Sequence, residues 1–265
     1  MTKLESFINN SFLYHPLRFS SISELFYEAL TAKTKKTAIF YKSFLFPVKE
    51  PATQLLAFDI GANKGNKTKA LLKLGFKVVA LEPEKKSIST LEYRYKKNPR
   101  VQIIKKGVAS QEGAANIYIT QGRSGLNTMN KKWKDRLNNQ EENRWNNRVD
   151  FKEFYEVPLT TVENLRKECG DPYFVKIDVE GFELEVIKGM RQLPGFISFE
   201  ANLPAFTEET IRCIETLYQL DNHVRFNYSF HEKLAGASWL PADEMISYIK
   251  NTGVKYIEII SRKDQ

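Results

Sequence analysis

The apolar residues of this chain alternate between two patterns. Short dense runs, at Leu55 to Ile60, Lys77 to Leu81, Val101 to Val108 and Phe174 to Val179, are rich in Val, Ile, Leu and Phe and read as strands buried on both faces. Between them, Asn66 to Leu74 and Ser87 to Lys97 carry apolar residues three and four apart, the spacing of a helix with one buried side. Further on, Phe182 to Met190 predicts a helix, Phe196 to Glu200 a strand and Glu208 to Leu220 another helix. This order predicts βαβ units and a parallel sheet. Gly75 stands where a helix C-terminal glycine is expected. Thr160-Thr161-Val162-Glu163 has the pattern of a capping box, with Thr160 accepting backbone donors and Glu163 reaching back, ahead of a helix over 161–168. In the tail, His223 to Phe230 and Val254 to Ile260 are strand-like and flank a helix near Ala242 to Lys250, which predicts a closing pair with one antiparallel strand at the sheet edge.

Two segments stand outside this rhythm. Residues 1–50 form an N-terminal extension, with helical spacing over Ser21 to Lys33 (Ile22, Leu25, Phe26, Leu30) and an aromatic stretch from Ile39 to Phe46. Pro47 and Pro51 then punctuate the chain, and the central domain is expected over 51–265. Residues 121–154, rich in Asn, Lys, Arg and Trp, follow a predicted hairpin and precede the next helix, and are expected to form a lid or a solvated insertion. Trp133 and Trp145 argue for some packing there. No internal repeat is present.

Composition narrows the class. With 265 residues, 42% hydrophobic and 27% charged, the chain can bury a core without disulfides or metals. Cys169 and Cys213 form no CxxC pair and have no histidine at ligand spacing, so no metal is expected and a reducing, cytoplasmic setting is. Neither a signal peptide nor a membrane span is recognisable. The net charge of +8 is compatible with an anionic partner, yet the lysines are scattered in pairs such as Lys85-Lys86 and Lys131-Lys132, which weighs against a dedicated nucleic-acid surface.

Candidate chemistry sits at the strand ends. Phe58-Asp59-Ile60-Gly61-Ala62-Asn63-Lys64-Gly65 leads a buried strand through a glycine turn into a helix, which suits a ligand approached closely by backbone. The turn reads GxxxG, with Asn63 where a pyrophosphate-binding fingerprint needs glycine, and no GxxxxGK[ST] occurs. Val78 to Leu81 ends in Glu82-Pro83, about twenty residues beyond the first turn, where a carboxylate can accept ribose hydroxyls. Val175-Lys176-Ile177-Asp178-Val179-Glu180-Gly181-Phe182-Glu183 is a buried strand ending in acids. Asp178 and Glu180, two apart, share a face on an extended chain, unless a turn intervenes. Each acid also has a structural reading: Glu82 as a helix N-terminal acid, Asp178 or Glu180 as an N-cap.

The turn DIGANKG, the strand end LEPE, TTVENL and above all VKIDVEGFELEVIKGM resemble the FkbM family of S-adenosylmethionine-dependent methyltransferases over about Leu55 to Asn202. The resemblance implies an α/β fold with a doubly wound, mostly parallel seven-stranded sheet (class I methyltransferase, Rossmann-like) behind the helical extension. It also implies S-adenosylmethionine as cofactor, with S-adenosylhomocysteine as product. Asp59, Gly61, Ala62, Asn63 and Gly65 match the methionine-binding turn, Glu82 with Pro83 the ribose position, and Gly107-Val108 the strand end beside adenine; Asp178 lies close by. Ser124 to Thr128 is only loosely similar to the family's serine-rich segment, because Gly125 and Asn127 depart from it.

An alcohol acceptor must lose a proton as it is methylated, so a carboxylate or histidine is expected near the methyl group. Asp178 and Glu180 come first, then His231, with Glu200 and His223 also eligible. These acids leave a divalent metal open without requiring one. The expected reaction is O-methylation of a sugar, glycan or other small natural product. One alternative is an RNA or other nucleic-acid methyltransferase using the basic surface, although Asp171-Pro172-Tyr173 precedes its strand and reads as a turn. Another is a non-catalytic binding protein that retains the fold. The sequence leaves the acceptor and the oligomeric state open.

Overall fold

The computed structural model describes residues 21–45, 55–121, 124–139 and 149–264, with side chains in the first segment from Thr31 onward. Pro47, Pro51 and Trp145 lie outside the described residues, as do the side chains of Ile22, Leu25, Phe26 and Leu30. At the centre of the molecule β1 (Leu56–Ile60) pairs in parallel with β2 (Lys77–Leu81) on one side and β7 (Phe174–Ile177) on the other. Beyond β2 lies β3 (Val101–Ile104) and beyond β7 lies β8 (Phe196–Asn202), both still parallel. Past β8 the direction changes. There β11 (Tyr256–Lys263) runs antiparallel between β8 and β9 (Val224–Phe230), and the two-residue β10 (Lys233–Leu234) folds back along β9. Apart from β10, the sheet is the expected seven-stranded one, doubly wound with β1 at the switch point.

The antiparallel strand is not at the edge, as its late place in the chain suggested. Ile257 and Ile259 point into one core and Ile260 into the other, all fully buried, so β11 needs a strand on each side and cover on both faces.

Three other expectations change. The run Val101 to Val108 breaks at Lys105-Lys106, where Lys105 pairs with Glu92 at 2.7 Å. Its second half, β4 (Gly107–Val108), joins a separate three-stranded sheet with β6 (Phe151–Thr160) and β5 (Gly113–Thr120). The partner of β5 is therefore β6, from the far side of the inserted segment, so residues 151–154 belong to a strand. Finally, Thr160 ends β6, and the helix α5 (Val162–Cys169) is capped by Thr161, whose hydroxyl accepts from the Asn164 N–H at 3.1 Å. Glu163 binds Arg166 instead of reaching back.

Helices cover both faces. On one side α1 (Ser21–Leu45), α2 (Asn66–Lys73) and α3 (Lys85–Tyr95) close a core in which Phe40, Tyr41 and Phe44 of the aromatic stretch pack toward Phe174 and Phe196. On the other, α5 lies with α6 (Glu183–Lys188), α7 (Thr207–Leu220) and α8 (Ala242–Asn251) over Ile177, Phe199 and Ile259. Gly75 (φ 102) ends α2: its N–H reaches the Leu72 carbonyl at 3.1 Å and the next N–H, of Phe76, the Leu71 carbonyl at 3.2 Å, a Schellman closure that returns the chain to the sheet. No described helix is long and apolar enough to cross a membrane.

Candidate active site

The C-terminal ends of β1, β2, β7 and β8 open onto a cleft of about 780 Å³, counted with its open mouth. Its floor is the turn after β1. Gly61 (φ 78) must be glycine, because a Cβ there would land on the Asp178 backbone oxygen and push β1 away from the turn after β7. The N–H groups of Gly61 and Ala62 both donate to the Leu81 carbonyl, at 3.0 and 2.9 Å, tying this turn to the end of β2. Asn63 takes φ 48, a left-handed conformation that asparagine tolerates better than most residues. Its N–H donates to Glu82 Oε2 at 2.7 Å, while Glu82 Oε1 accepts from the Glu84 N–H at 2.9 Å. Burial pushes the Glu82 carboxyl up to about 7, against the pull of these two N–H donors. Glu84, not Glu82, is the N-cap of α3, accepting from Lys86 and Ser87 at 2.9 and 2.7 Å.

The opposite wall is the turn after β7. Glu180 (φ 53) and Gly181 (φ 88) swing the chain back, and Glu183 pins the loop by accepting from the N–H groups of Val179 and Gly181 at 3.4 and 3.2 Å. Burial, with Glu200 and Asp178 nearby, pushes the Glu183 carboxyl up to about 7. One carboxylate oxygen each from Asp178, Glu180 and Glu200 lie within 4.8 Å of one another, close enough to share a cation. The lysine of the motif, Lys176, is buried in β7 with its ammonium 3.3 Å from Asp178 Oδ2. The surrounding carboxylates, Asp178 first, then Glu258, Glu200 and Asp59, outweigh burial and raise its pKa. Glu200 Oε1 accepts from the Tyr256 hydroxyl at 2.6 Å.

The inserted segment closes the third side. A 3₁₀ turn at Ser124–Leu126 places the Ser124 hydroxyl 3.2 Å from Asn63 Oδ1, which also accepts from Ser87. The Thr128 hydroxyl donates to the Glu180 carbonyl at 2.7 Å, and the Asn130 amide donates to the Gly181 carbonyl while its oxygen caps α4 (Lys131–Asn138). Trp133 of α4 is buried against Phe206, ring centroids 5.2 Å apart, in a small core with Leu126, Leu137 and Val149.

Of the residues singled out from sequence, Gly61, Asn63, Glu82, Pro83, Gly107, Val108, Asp178, Glu180 and Glu200 line this cleft. Four others do not. Asp59 is buried beneath it, Oδ2 accepting from the Thr68 hydroxyl at 2.5 Å, and burial pushes its carboxyl up. Ala62 faces the core under α1 and α2, and Gly65 caps α2, where a Cβ would strike the ring of Tyr95. His231 occupies a two-residue hairpin turn with Glu232, both at positive φ (50 and 60), directed by the Lys67–Glu232 ion pair (2.7 Å) toward α2 and α1. His223 lies in the turn just before β9, at the strand's far end from the cleft, its N–H on Asp221. Asp171 and Tyr173 serve a turn, binding Arg166 and the Leu45 carbonyl at 2.7 and 2.8 Å.

Sequence reasoning passed over Lys176, Tyr256, Glu183, Lys106, Ile117 and Met129. For Lys176 a signal existed: a lone charge inside an otherwise apolar strand must be paired to be buried. Tyr256 and Met129 reach the site only through tertiary packing.

No curated protein matches the chain by sequence. Among solved structures, the precorrin-6y C5,15-methyltransferase of Geobacter metallireducens is similar at 12% identity, covering 90% of this chain and 88% of its own, with a TM-score of 0.41. A TehB-like S-adenosylmethionine-dependent methyltransferase of Corynebacterium glutamicum is similar at 9% identity, covering 92% and 99%, with a TM-score of 0.43. The plantazolicin methyltransferase BpumL, solved with S-adenosylhomocysteine, is similar at 9% identity, covering 89% and 83%, also with a TM-score of 0.43. The methyltransferase FkbM domain model matches residues 59–254, from the glycine turn to the approach of β11, and the chain therefore belongs to the FkbM family of S-adenosylmethionine-dependent methyltransferases.

Proposed function

We propose that this methyltransferase acts on a hydroxyl oxygen of a sugar, glycan or other small natural product, and that Asp178 and Glu180, with Glu200 beside them, receive the proton. The observation that carries this reading is the convergence of the three carboxylates on the cleft wall across from the glycine turn. Hydroxyl groups of an acceptor are donors, and a wall of acceptors both orients them and takes the proton released on attack.

The cleft fits the family's cofactor. Gly107 lines the cleft and is packed so closely that a Cβ there would press on Met129 and Leu159 at 2.8 Å, which keeps this strand end bare of a side chain. In this reading Glu82 takes the ribose hydroxyls, Gly107-Val108 the adenine, and Gly61 with Asn63 the amino-acid end, all of them residues that line the cleft. When bound, S-adenosylmethionine supplies a methyl group that is already electrophilic, so the chain's own task is alignment. Lys176 holds Asp178 by one oxygen and Tyr256 holds Glu200 by one oxygen, which fixes both side chains before an acceptor arrives.

Calorimetric titration of S-adenosylmethionine and S-adenosylhomocysteine, followed by a radiolabel transfer screen over glycosides, amines and RNA, tests the reading. Micromolar binding that Glu82→Ala weakens about a hundredfold, two charge-assisted hydrogen bonds' worth, with label transferred to hydroxyl acceptors, is the expected result. Transfer only to amines would overturn O-methylation, and transfer only to RNA would overturn the sugar, glycan or small-molecule acceptor.

A further inference from the structure

The net charge of the chain is not spread evenly. Residues 31–45 and 55–100, which supply α2, α3 and the side-chain-described part of α1, hold 15 Lys and Arg against 4 Asp and Glu, a net charge of +11 in a chain whose total is +8. The remainder therefore sums to −3. Three of those four acids, Asp59, Glu82 and Glu84, are buried, and the fourth, Glu92, is paired with Lys105. The counter-charge on this helical layer comes from Glu92, from Glu232 of the β9–β10 turn, which pairs with Lys67 at 2.7 Å, and from Glu24 and Glu28 early in α1, and the lysines outnumber it.

Its geometry is that of three neighbouring helices on one face of the sheet. α1 packs on α2, and α2 is joined to α3 through Tyr95, whose hydroxyl donates to the Gly65 carbonyl at 2.7 Å. On α1 the inward positions Thr37, Phe40, Tyr41 and Phe44 are buried. The outward positions Lys35, Lys36, Ile39 and Lys42 are exposed, and Ile39 is 60% exposed in the middle of the lysines. Tyr93 of α3 is likewise 69% exposed. A large aliphatic side chain ringed by lysines is the pattern of a helix lying on an anionic lipid surface, where the apolar group enters the interface and the lysines reach the phosphates. The cation type points the same way: 13 of the 15 are lysines, point charges that pair with any phosphate, and only Arg94 and Arg100 carry the planar fork used to read nucleic acids.

We propose that the α1–α2–α3 face docks this methyltransferase onto a bilayer containing anionic phospholipid. The docking is peripheral, driven by the lysines with Ile39 as the apolar contact. It does not depend on which acceptor is methylated.

Co-sedimentation of the full chain with phosphatidylcholine vesicles, with and without phosphatidylglycerol, tests this. Binding is expected to be about tenfold tighter or more with phosphatidylglycerol. It should be lost in the triple variant Lys35→Glu, Lys36→Glu, Lys42→Glu and weakened several-fold in Ile39→Ser. S-adenosylhomocysteine affinity and thermal melting of both variants should match the wild type, which shows that the fold and the cofactor site are intact. Equal binding to both vesicles, or undiminished binding by the triple variant, would overturn the proposal. So would a single-stranded RNA that displaces the protein from phosphatidylglycerol vesicles equally well in wild type and Ile39→Ser, since that result assigns the face to nucleic acid.

Discussion

The two walls of the cleft are built by different means. The glycine-turn wall, from Asp59 to Glu84, is contiguous in sequence and made of backbone: positive φ at Gly61, Asn63 and Gly65, main-chain donors on Leu81 and Glu82, and a glycine for which no side chain can substitute. The facing wall draws on the turn after β7, the end of β8, the inserted segment and, through Tyr256, the last strand. A site whose geometry is dictated by main chain tolerates little change. One assembled from side chains on separate elements can vary one contributor at a time.

The sharpest way to break this comparison is the same substitution in both walls. Gly61→Ala forces a Cβ onto a backbone oxygen at φ 78 and should cost about 2–5 kcal/mol, the sum of the left-handed penalty and overpacking. Thermal unfolding should show it, with loss of S-adenosylhomocysteine binding. Gly181→Ala carries the same left-handed penalty at φ 88 but meets side chains in place of backbone, Trp133 at 3.0 Å and the Asn130 amide at 3.5 Å, which can yield, so its cost should be about 1–3 kcal/mol, and cofactor binding should survive. Equal losses in the two variants would erase the distinction.

Protonation sharpens the comparison further. The carboxyl of Glu82 is raised to about 7, so it is largely neutral below that pH and ionised above it. An ionised carboxylate is the stronger acceptor for hydroxyl donors, so S-adenosylhomocysteine affinity should rise with pH, by about tenfold from pH 6 to pH 8. Glu82→Gln should flatten that profile in calorimetry. For folding alone the sign is opposite. Glu82 and Glu183 both bind a proton more tightly folded than unfolded, so their contribution to stability is full below pH 4.5 and declines as pH rises toward about 7. The smallest effect belongs to Ser124→Ala, which removes one hydrogen bond of 3.2 Å to Asn63 and should lower cofactor affinity by no more than about 1 kcal/mol.

The same division explains what could be read from the sequence. The strand of Phe58, the glycine turn and the acid after Leu81 are local patterns, and the structure places Gly61, Asn63 and Glu82 on one cleft because their relation is fixed within a single βαβ unit. Asp59 and Gly65 belong to the same motif yet support it from beneath, a distinction that depends on which way each residue faces at the strand end. His231 looked eligible as a polar residue after a strand, and only the Lys67–Glu232 pair shows that its turn belongs to the helical face. The position of β11 inside the sheet, the pairing of β5 with β6 and the contribution of Tyr256 all rest on contacts between residues far apart in the chain. No local periodicity carries that information.

The inserted segment grips both walls at once: Ser124 holds the asparagine of the glycine turn, and Thr128 and Asn130 hold the carbonyls of the acid turn. Thermodynamic reciprocity follows from that double attachment. By whatever factor a bound acceptor changes cofactor affinity through this segment, the cofactor changes acceptor affinity by the same factor. Exchanging the segment to admit a different acceptor would therefore reset the affinity for S-adenosylmethionine at the same time.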